Sequence, residues 1–287
     1  MQELKAKKLA EMANLIRRGA IEAVYSGKSG HPGGSLSIAE ILAYLYFEEM
    51  HIDPQRPALP GRDRFVLSKG HCAPALYAAL AHRGFFPVEE LRTFRHANSR
   101  LQGHPDMVGV PGVDMTTGSL GQGISAACGM ALAAKRQGQD FRVYTIVGDG
   151  ESEEGQVWEA AMFAAHYRLD NLCLFIDFNG LQIDGPVTEI MNCTPHDAKF
   201  AAFGWHVISI CAHDFDQIEA ALREARATKD KPTAIIARSV KGKGVSFMEN
   251  QTDWHGKAPN DEQYRQAMAE LRAISEQITP KGDVSHG

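Results

Sequence analysis

Phe141-Arg142-Val143-Tyr144-Thr145-Ile146-Val147-Gly148-Asp149-Gly150 is an apolar run that ends in a glycine-flanked acid. It reads as a buried strand followed by a tight turn. Glu153 to Tyr167 has a helical pattern, and Leu172-Cys173-Leu174-Phe175-Ile176-Asp177-Phe178 is a second apolar strand, closed by Asn179-Gly180. Strand, helix and strand predict a βαβ unit, whose right-handed crossover lays two parallel strands side by side with both C-terminal ends at one edge. Ligands of open α/β sheets bind at that edge. Asp149 and Asn179, 30 positions apart (179 − 149), are therefore expected to meet there.

The chemistry of that pair suits a hard divalent cation, because a carboxylate, an amide carbonyl and a backbone carbonyl all offer oxygen, and phosphate oxygens and water complete such a shell. Gly148 and Gly150 remove side chains where a diphosphate would approach the backbone. The helix starting near Glu153 turns its free N–H groups and positive dipole end toward an anion. A lone Gly-Asp-Gly is usually an ordinary turn; its place between strand and helix, with Asn179 after the next strand, is what makes it a site.

Outward from this unit the alternation continues. Helix 197–203, strand Trp205–Ile210, helix Asp216–Ala227 and strand Thr233–Val240 follow, and about Asp261 to Gln277 is helical. Upstream, Leu4, Leu9, Met12, Leu15, Ile16, Ala20, Ala23 and Val24 form one helical stripe. Ser26-Gly27-Lys28-Ser29-Gly30-His31-Pro32-Gly33-Gly34 breaks it, and a second apolar helix runs from about Leu36 to Met50. Arg64 to Ser68 reads as a short strand, followed by helices near Ala73–His82 and Val88–His96. Short apolar strands separated by helices predict an α/β fold, a buried parallel sheet with helices on both faces. No linker interrupts the chain, so one domain over 1–287 is expected, with its core at about 10–260 and a polar tail at Thr279–Gly287.

Bulk properties narrow the function. The chain has 287 residues and a net charge of -5, which gives no reason to expect nucleic acid or an anionic membrane as partner. No apolar run reaches membrane-spanning length, and Met1-Gln2-Glu3-Leu4-Lys5-Ala6-Lys7-Lys8 lacks the apolar stretch of a signal peptide. Cys72, Cys128, Cys173, Cys193 and Cys211 are widely spaced and form no CxxC pair, as expected of reduced, buried thiols in a cytoplasmic protein.

Four histidines sit beside glycine in predicted loops: His31, His71, His104 and His255. Imidazole gives and takes protons near neutrality and hydrogen-bonds hydroxyls or phosphate, and an adjacent glycine lets a ligand come close. Singly, each is an ordinary loop histidine. Their spacing is not that of a zinc site. Asp216–Arg226 reads as an amphipathic surface helix and Lys241-Gly242-Lys243-Gly244 as a flexible loop, with closure over a phosphate as its alternative.

Taken together, KSGHPGGSLS (28–37), LSKGHCAPALY (67–77), LQGHPD (101–106), TGSLGQG (117–123), and GDG (148–150) followed by Asn179 resemble the thiamine-diphosphate-binding half of transketolase. The resemblance covers roughly residues 10 to 260. It implies that Asp149, Asn179 and the backbone carbonyl of Leu181 bind Mg2+ (or Ca2+), which holds the diphosphate of thiamine diphosphate. His71 would lie near the diphosphate and reactive ring, His31 and His104 on donor-sugar hydroxyls, and His255 near the diphosphate and the transferring groups. Gly118 and Leu120 resemble the loop that touches the cofactor, and Glu154 an acid at the subunit interface that links two cofactor sites. Phe178 departs from the pattern, since many relatives have a second Asn there.

The same resemblance implies transfer of a two-carbon ketol unit from a ketose or ketose phosphate to an aldose. The pyrimidine-binding domain, its glutamate and the arginines that grip sugar phosphates would come from a separate C-terminal subunit, in an α2β2 heterotetramer. Competing readings are a deoxyxylulose-phosphate synthase-like or 2-oxo acid dehydrogenase-like subunit, a nucleotide-binding Rossmann protein, disfavoured because no GxGxxG follows the first strand, and a non-catalytic cofactor-binding subunit.

Overall fold

The computed structural model describes residues 1–278. The elements are α1 (Glu3–Ser26), α2 (Pro32–Leu36), α3 (Ala39–Tyr44), β1 (Arg64–Leu67), α4 (Ala73–Arg83), α5 (Gln122–Arg136), β2 (Val143–Gly148), α6 (Gly155–His166), β3 (Leu172–Phe178), α7 (Val187–Ile190), α8 (His196–Ala202), β4 (His206–Cys211), α9 (Phe215–Ala227), β5 (Thr233–Arg238) and α10 (Asp261–Ile278). All five strands are parallel, in the order β1-β2-β3-β5-β4.

Side chains alternate across the sheet because successive Cβ atoms of a strand point to opposite faces. Tyr144, Ile146, Phe175 and Ile235 face a core shared with α1, α3, α4 and α9. Val143, Val147, Leu174 and Ile176 face the other core, built with α5, α6 and α8. Helices therefore cover both faces, which is why β2, β3 and β5 are buried along almost their whole length, whereas the edge strand β4 is partly exposed. A third cluster joins α10 to α1, with Val245, Met248 and Trp254 between them. It clamps the segment that carries His255.

Several expectations shift at the edges. Leu4 belongs to the helical stripe but is 66% exposed. Pro32, Gly33 and Gly34 do not lie in an irregular break: they form the first turn of α2, with Pro at its start, where its missing N–H costs nothing. The expected helix from Leu36 to Met50 is divided at Ser37-Ile38 and ends in a π-helical turn over Leu45–Glu49. The expected helix Val88–His96 is only a 3-10 turn over Val88–Thr93, cut short by Arg95 and Asn98 at positive φ. Thr279–Gly287 lies outside the described residues.

α5 has no counterpart in the sequence-based expectation. Its face is made of small residues because it lies almost on the sheet: a Cβ at Gly123 would stand 2.5 Å from the Ser68 Cα. No disulfide forms; Cys72, Cys128, Cys173 and Cys193 are buried, whereas Cys211 is exposed. Among the described residues no helix is long and apolar enough to cross a membrane.

Candidate active site

β2 and β3 pair in register from Val143↔Leu172 to Gly148↔Asp177, so the two strands end together. Asp149 and Asn179 continue from those ends. Asp149 accepts the Gly150 N–H on Oδ1 (2.9 Å) and the Gly180 N–H on Oδ2 (2.5 Å). Asn179 accepts the Leu181 N–H on Oδ1 (3.1 Å) and donates from Nδ2 to Asp177 Oδ2 (3.1 Å). The amide orientation is thereby fixed, with its oxygen turned toward the Leu181 side. Asp149 is buried and has no ion pair among the described residues. Burial, with the Asp177 carboxylate behind it, pushes its pKa up to about 7. A divalent cation beside such a carboxyl relieves both penalties.

Beneath this edge lies a buried ion pair. Lys69 Nζ donates to Asp177 Oδ2 (2.5 Å) and to the Gly34 carbonyl (2.9 Å). Ser37 and Ser239 hydroxyls also donate to Asp177. Burial opposes the Asp177 charge, but Lys69 and the two serines outweigh it and hold the carboxyl below its ordinary range. The pair ties α2, β1 and β3 together under this sheet edge, and Asp177 in turn orients Asn179. Behind the turn, the Asp149 carbonyl accepts from Ser152 Oγ (2.5 Å) and Cys193 Sγ (3.3 Å), both of which touch His196 Nε2.

The residues face a cleft of about 240 Å³ whose lining includes Asp149, Asn179, Leu181, Gly148, Gly150, Gly118, Leu120 and all four histidines. Bare backbone is required at Gly118, where φ is +147° and a Cβ would press on the His104 ring at 3.0 Å. Ring centroids of His31 lie 5.2 Å from His71, 5.4 Å from His255 and 6.5 Å from His104. The Tyr77 hydroxyl fixes the last loop by donating to the carbonyls of Gln102 and His104. Burial lowers all four imidazoles. His31 falls to about 4 with help from Arg95, His255 to about 3 with help from Lys241, His71 well below its ordinary value with help from Lys69, and His104 less, again with Arg95 contributing. All four are neutral at pH 7, so each ring has one nitrogen to accept and one to donate.

Of the predicted site residues, Glu154 is the one outside the cleft. It is the residue before α6, exposed and beside Gly121, and its side chain makes no capping hydrogen bond. The acid on the cleft wall is Glu151, whose carboxylate takes the Ser68 hydroxyl and the N–H groups of Gly121 and Gly148. The expected helix start near Glu153 is also displaced: Gly150–Glu153 is a 3-10 turn, and α6 begins at Gly155. Lys241 is a correction as well. Its side chain is 2% exposed and donates to the Leu181 carbonyl (3.0 Å), beside His255 Nδ1 (3.1 Å). Burial lowers its pKa to about 8. The lysines of a Lys-Gly-Lys-Gly run look solvated in sequence; only the fold shows that one of them faces an acid-lined cleft.

The oxygen donors fit a hard cation, and the glycine walls with Lys241 fit a diphosphate. Comparison with known proteins supplies the family. The family "Transketolase, thiamine diphosphate binding domain" matches residues 8–276. The chain belongs to the transketolase family. Within it, the chain is a transferase, an N-terminal transketolase subunit, as its relatives show. It is 51% identical to the 6-deoxy-6-sulfo-D-fructose transketolase subunit SqwG of Clostridium sp. (strain MSTE9), over 92% of this chain and 96% of that one. It is 43% identical to an apulose-4-phosphate transketolase subunit of Phocaeicola vulgatus, over 91% and 92% respectively. The solved transketolase of Leishmania mexicana superposes with a TM-score of 0.86 at 34% identity. That match covers 94% of this chain but 44% of the Leishmania protein, so the chain spans less than half of that enzyme's length.

Proposed function

We propose that the chain acts with a separate C-terminal subunit to transfer a two-carbon ketol unit from a ketose, phosphorylated or otherwise anionic, to an aldose. The observation that carries this reading is the junction of Asp149 and Asn179 at paired strand ends, facing four neutral histidines across one cleft. In this reading Asp149, Asn179 and the Leu181 carbonyl hold Mg2+ (or Ca2+), and Lys241 meets the charge of the diphosphate. Thiamine diphosphate, when bound, supplies the electron sink for carbon–carbon bond cleavage. His31 and His104 hold the donor's hydroxyls and move their protons, while His71 and His255 lie between them and the lysines. Glu154, on the outer face, is available to a neighbouring subunit. The whole chain serves as one cofactor-binding domain of a cytoplasmic α2β2 assembly, the partner contributing the pyrimidine-side domain.

Mixing tests this. The purified chain with thiamine diphosphate and Mg2+ is expected to be inactive and to gain ketol transfer when the C-terminal subunit is added. Full activity of the chain alone removes the need for a partner. Transfer from pyruvate in preference to a ketose phosphate moves the chain to the deoxyxylulose-phosphate synthase-like class.

A further inference from the structure

Ser152, Cys193 and His196 stand behind the Gly148-Asp149-Gly150 turn and do not line the cleft. The segment 180–193, which carries Leu181, leaves the sheet edge at Gly180 and returns at Cys193, and both of its ends are fastened to Asp149. Gly180 donates its N–H to Asp149 Oδ2, and the Cys193 thiol donates to the Asp149 carbonyl. Between these ends the chain runs outward, with Ile183, Ile190 and Met191 exposed. Ser152, in the 3-10 turn after Asp149, gives its hydroxyl hydrogen to the same carbonyl.

His196 completes the group. It is the first residue of α8, is buried, and meets the Phe178 ring edge to face, with centroids 5.1 Å apart. Its Nε2 lies 2.9 Å from Ser152 Oγ and 3.3 Å from Cys193 Sγ, while its Nδ1 is buried with no partner. These contacts fix the tautomer. The hydroxyl and the thiol have one hydrogen each and give both to the Asp149 carbonyl, so toward His196 they can only accept. Nε2 therefore carries the hydrogen. Nδ1 is then a bare lone pair, which proteins bury more readily than a stranded N–H. Burial keeps the ring neutral at pH 7, lowering its pKa to about 4 with Lys199 contributing. One imidazole N–H thus steadies two donors on one carbonyl, and that carbonyl belongs to the residue that receives both ends of the segment.

We propose that His196 is a positioning residue of the metal-binding turn: its Nε2–H holds the Ser152 hydroxyl and the Cys193 thiol on the Asp149 carbonyl, and so keeps the segment that carries Leu181 closed against Asp149. The inference rests on the reading of Asp149 and the Leu181 carbonyl as donors to the cation.

The test compares two amide side chains. His196→Gln carries an N–H out to the reach of Nε2, whereas the shorter His196→Asn carries one only to the reach of Nδ1. Both lose the ring that packs on Phe178, so packing alone cannot separate them. In the two-subunit holoenzyme, calorimetry with Mg2+ present should show thiamine diphosphate binding about tenfold weaker in His196→Asn, the size of a lost support behind a metal ligand, and within about threefold of wild type in His196→Gln. Hydrogen exchange of the full chain without cofactor should be faster over 180–193 in His196→Asn than in His196→Gln. Nitrogen NMR of the wild-type chain should find the His196 hydrogen on Nε2. Equal losses in the two variants mean that His196 merely packs on Phe178, and overturn the positioning role, as does no loss in either. A hydrogen on Nδ1 overturns it too, and this measurement decides if a variant fails to fold. If Asp149→Ala binds the cofactor as wild type does, the metal reading fails by itself. Exchange over 180–193 then decides for His196 alone: a difference between the two variants supports its hold on the segment, and equal exchange overturns it.

Discussion

The two ends of the cleft are built on opposite plans. At the end proposed for the diphosphate, Asp149, Asn179 and Asp177 grow from paired strands, and nearly every polar atom is hydrogen-bonded to a backbone N–H, a serine or Lys69. Across the cleft, His31, His71, His104 and His255 come from four separate segments, and His31 Nδ1 is buried with no partner. The contrast suits the division of labour proposed for the cleft. An anchor for a metal and a diphosphate gains from rigidity, because its geometry never changes. A surface that meets successive sugars gains from donors and acceptors left open.

The largest expected effect tests the rigid end. Lys69→Met removes the counter-charge of a fully buried carboxylate, and breaking such a pair costs about 3–5 kcal/mol. Chemical denaturation should show that loss in the variant. If Lys69→Met is as stable as wild type, the ion pair is not what holds α2 to the sheet. Asp149→Ala comes next. It should abolish Mg2+-dependent binding of thiamine diphosphate, lowering affinity about a hundredfold or more, as for loss of a first metal ligand with its buried charge. Calorimetry giving wild-type cofactor affinity would sink the metal assignment.

At the open end the effect should be smaller and of a different kind. His104→Ala is expected to lower kcat/KM for the donor about tenfold while cofactor affinity stays within about threefold. His104 is exposed and rests on Gly118, so its removal leaves the Lys69–Asp177 network intact. A parallel fall in cofactor affinity would mean that the two ends are not separable.

How far the sequence revealed each end follows from the same contrast. The range Leu172–Phe178 for β3 agrees between pattern and structure, because a strand buried on both faces has no polar interruption except Asp177. Asp149, Asn179 and the glycine-flanked histidines could be picked out, since local chemistry marks them. Partners that meet only through the fold could not. Lys69 and Asp177 are 108 positions apart, and nothing local pairs them. Lys241 looks like part of a solvated loop until Leu181 and His255 close around it. α5 was illegible for a packing reason: Gly123, Ser125 and Gly129 weaken helix propensity, and the glycine at 123 is there to admit the sheet. Val88–His96 failed in the other direction, since the helical pattern continues past a point where Arg95 must turn its backbone.

The finest expected effect is a pH dependence of the histidine end. His31 and His255 have folded pKa values of about 4 and 3, below the 6.5 of the unfolded chain, because burial and the nearby cations disfavour the imidazolium. The unfolded state therefore binds more protons at mildly acid pH. Stability from these groups is fully present above 6.5 and declines as pH falls from there toward 4 for His31 and 3 for His255. An NMR titration of the apo chain should find His31 no more than about a tenth protonated at pH 5. Thiamine diphosphate with Mg2+ should then separate the two ends. The bound anion stabilises a positive imidazole beside it, so His255, next to Lys241, should move up more than His104, next to Gly118. Equal shifts at both rings would show that the cleft has no diphosphate end and sugar end, and that its four histidines form one undivided pool.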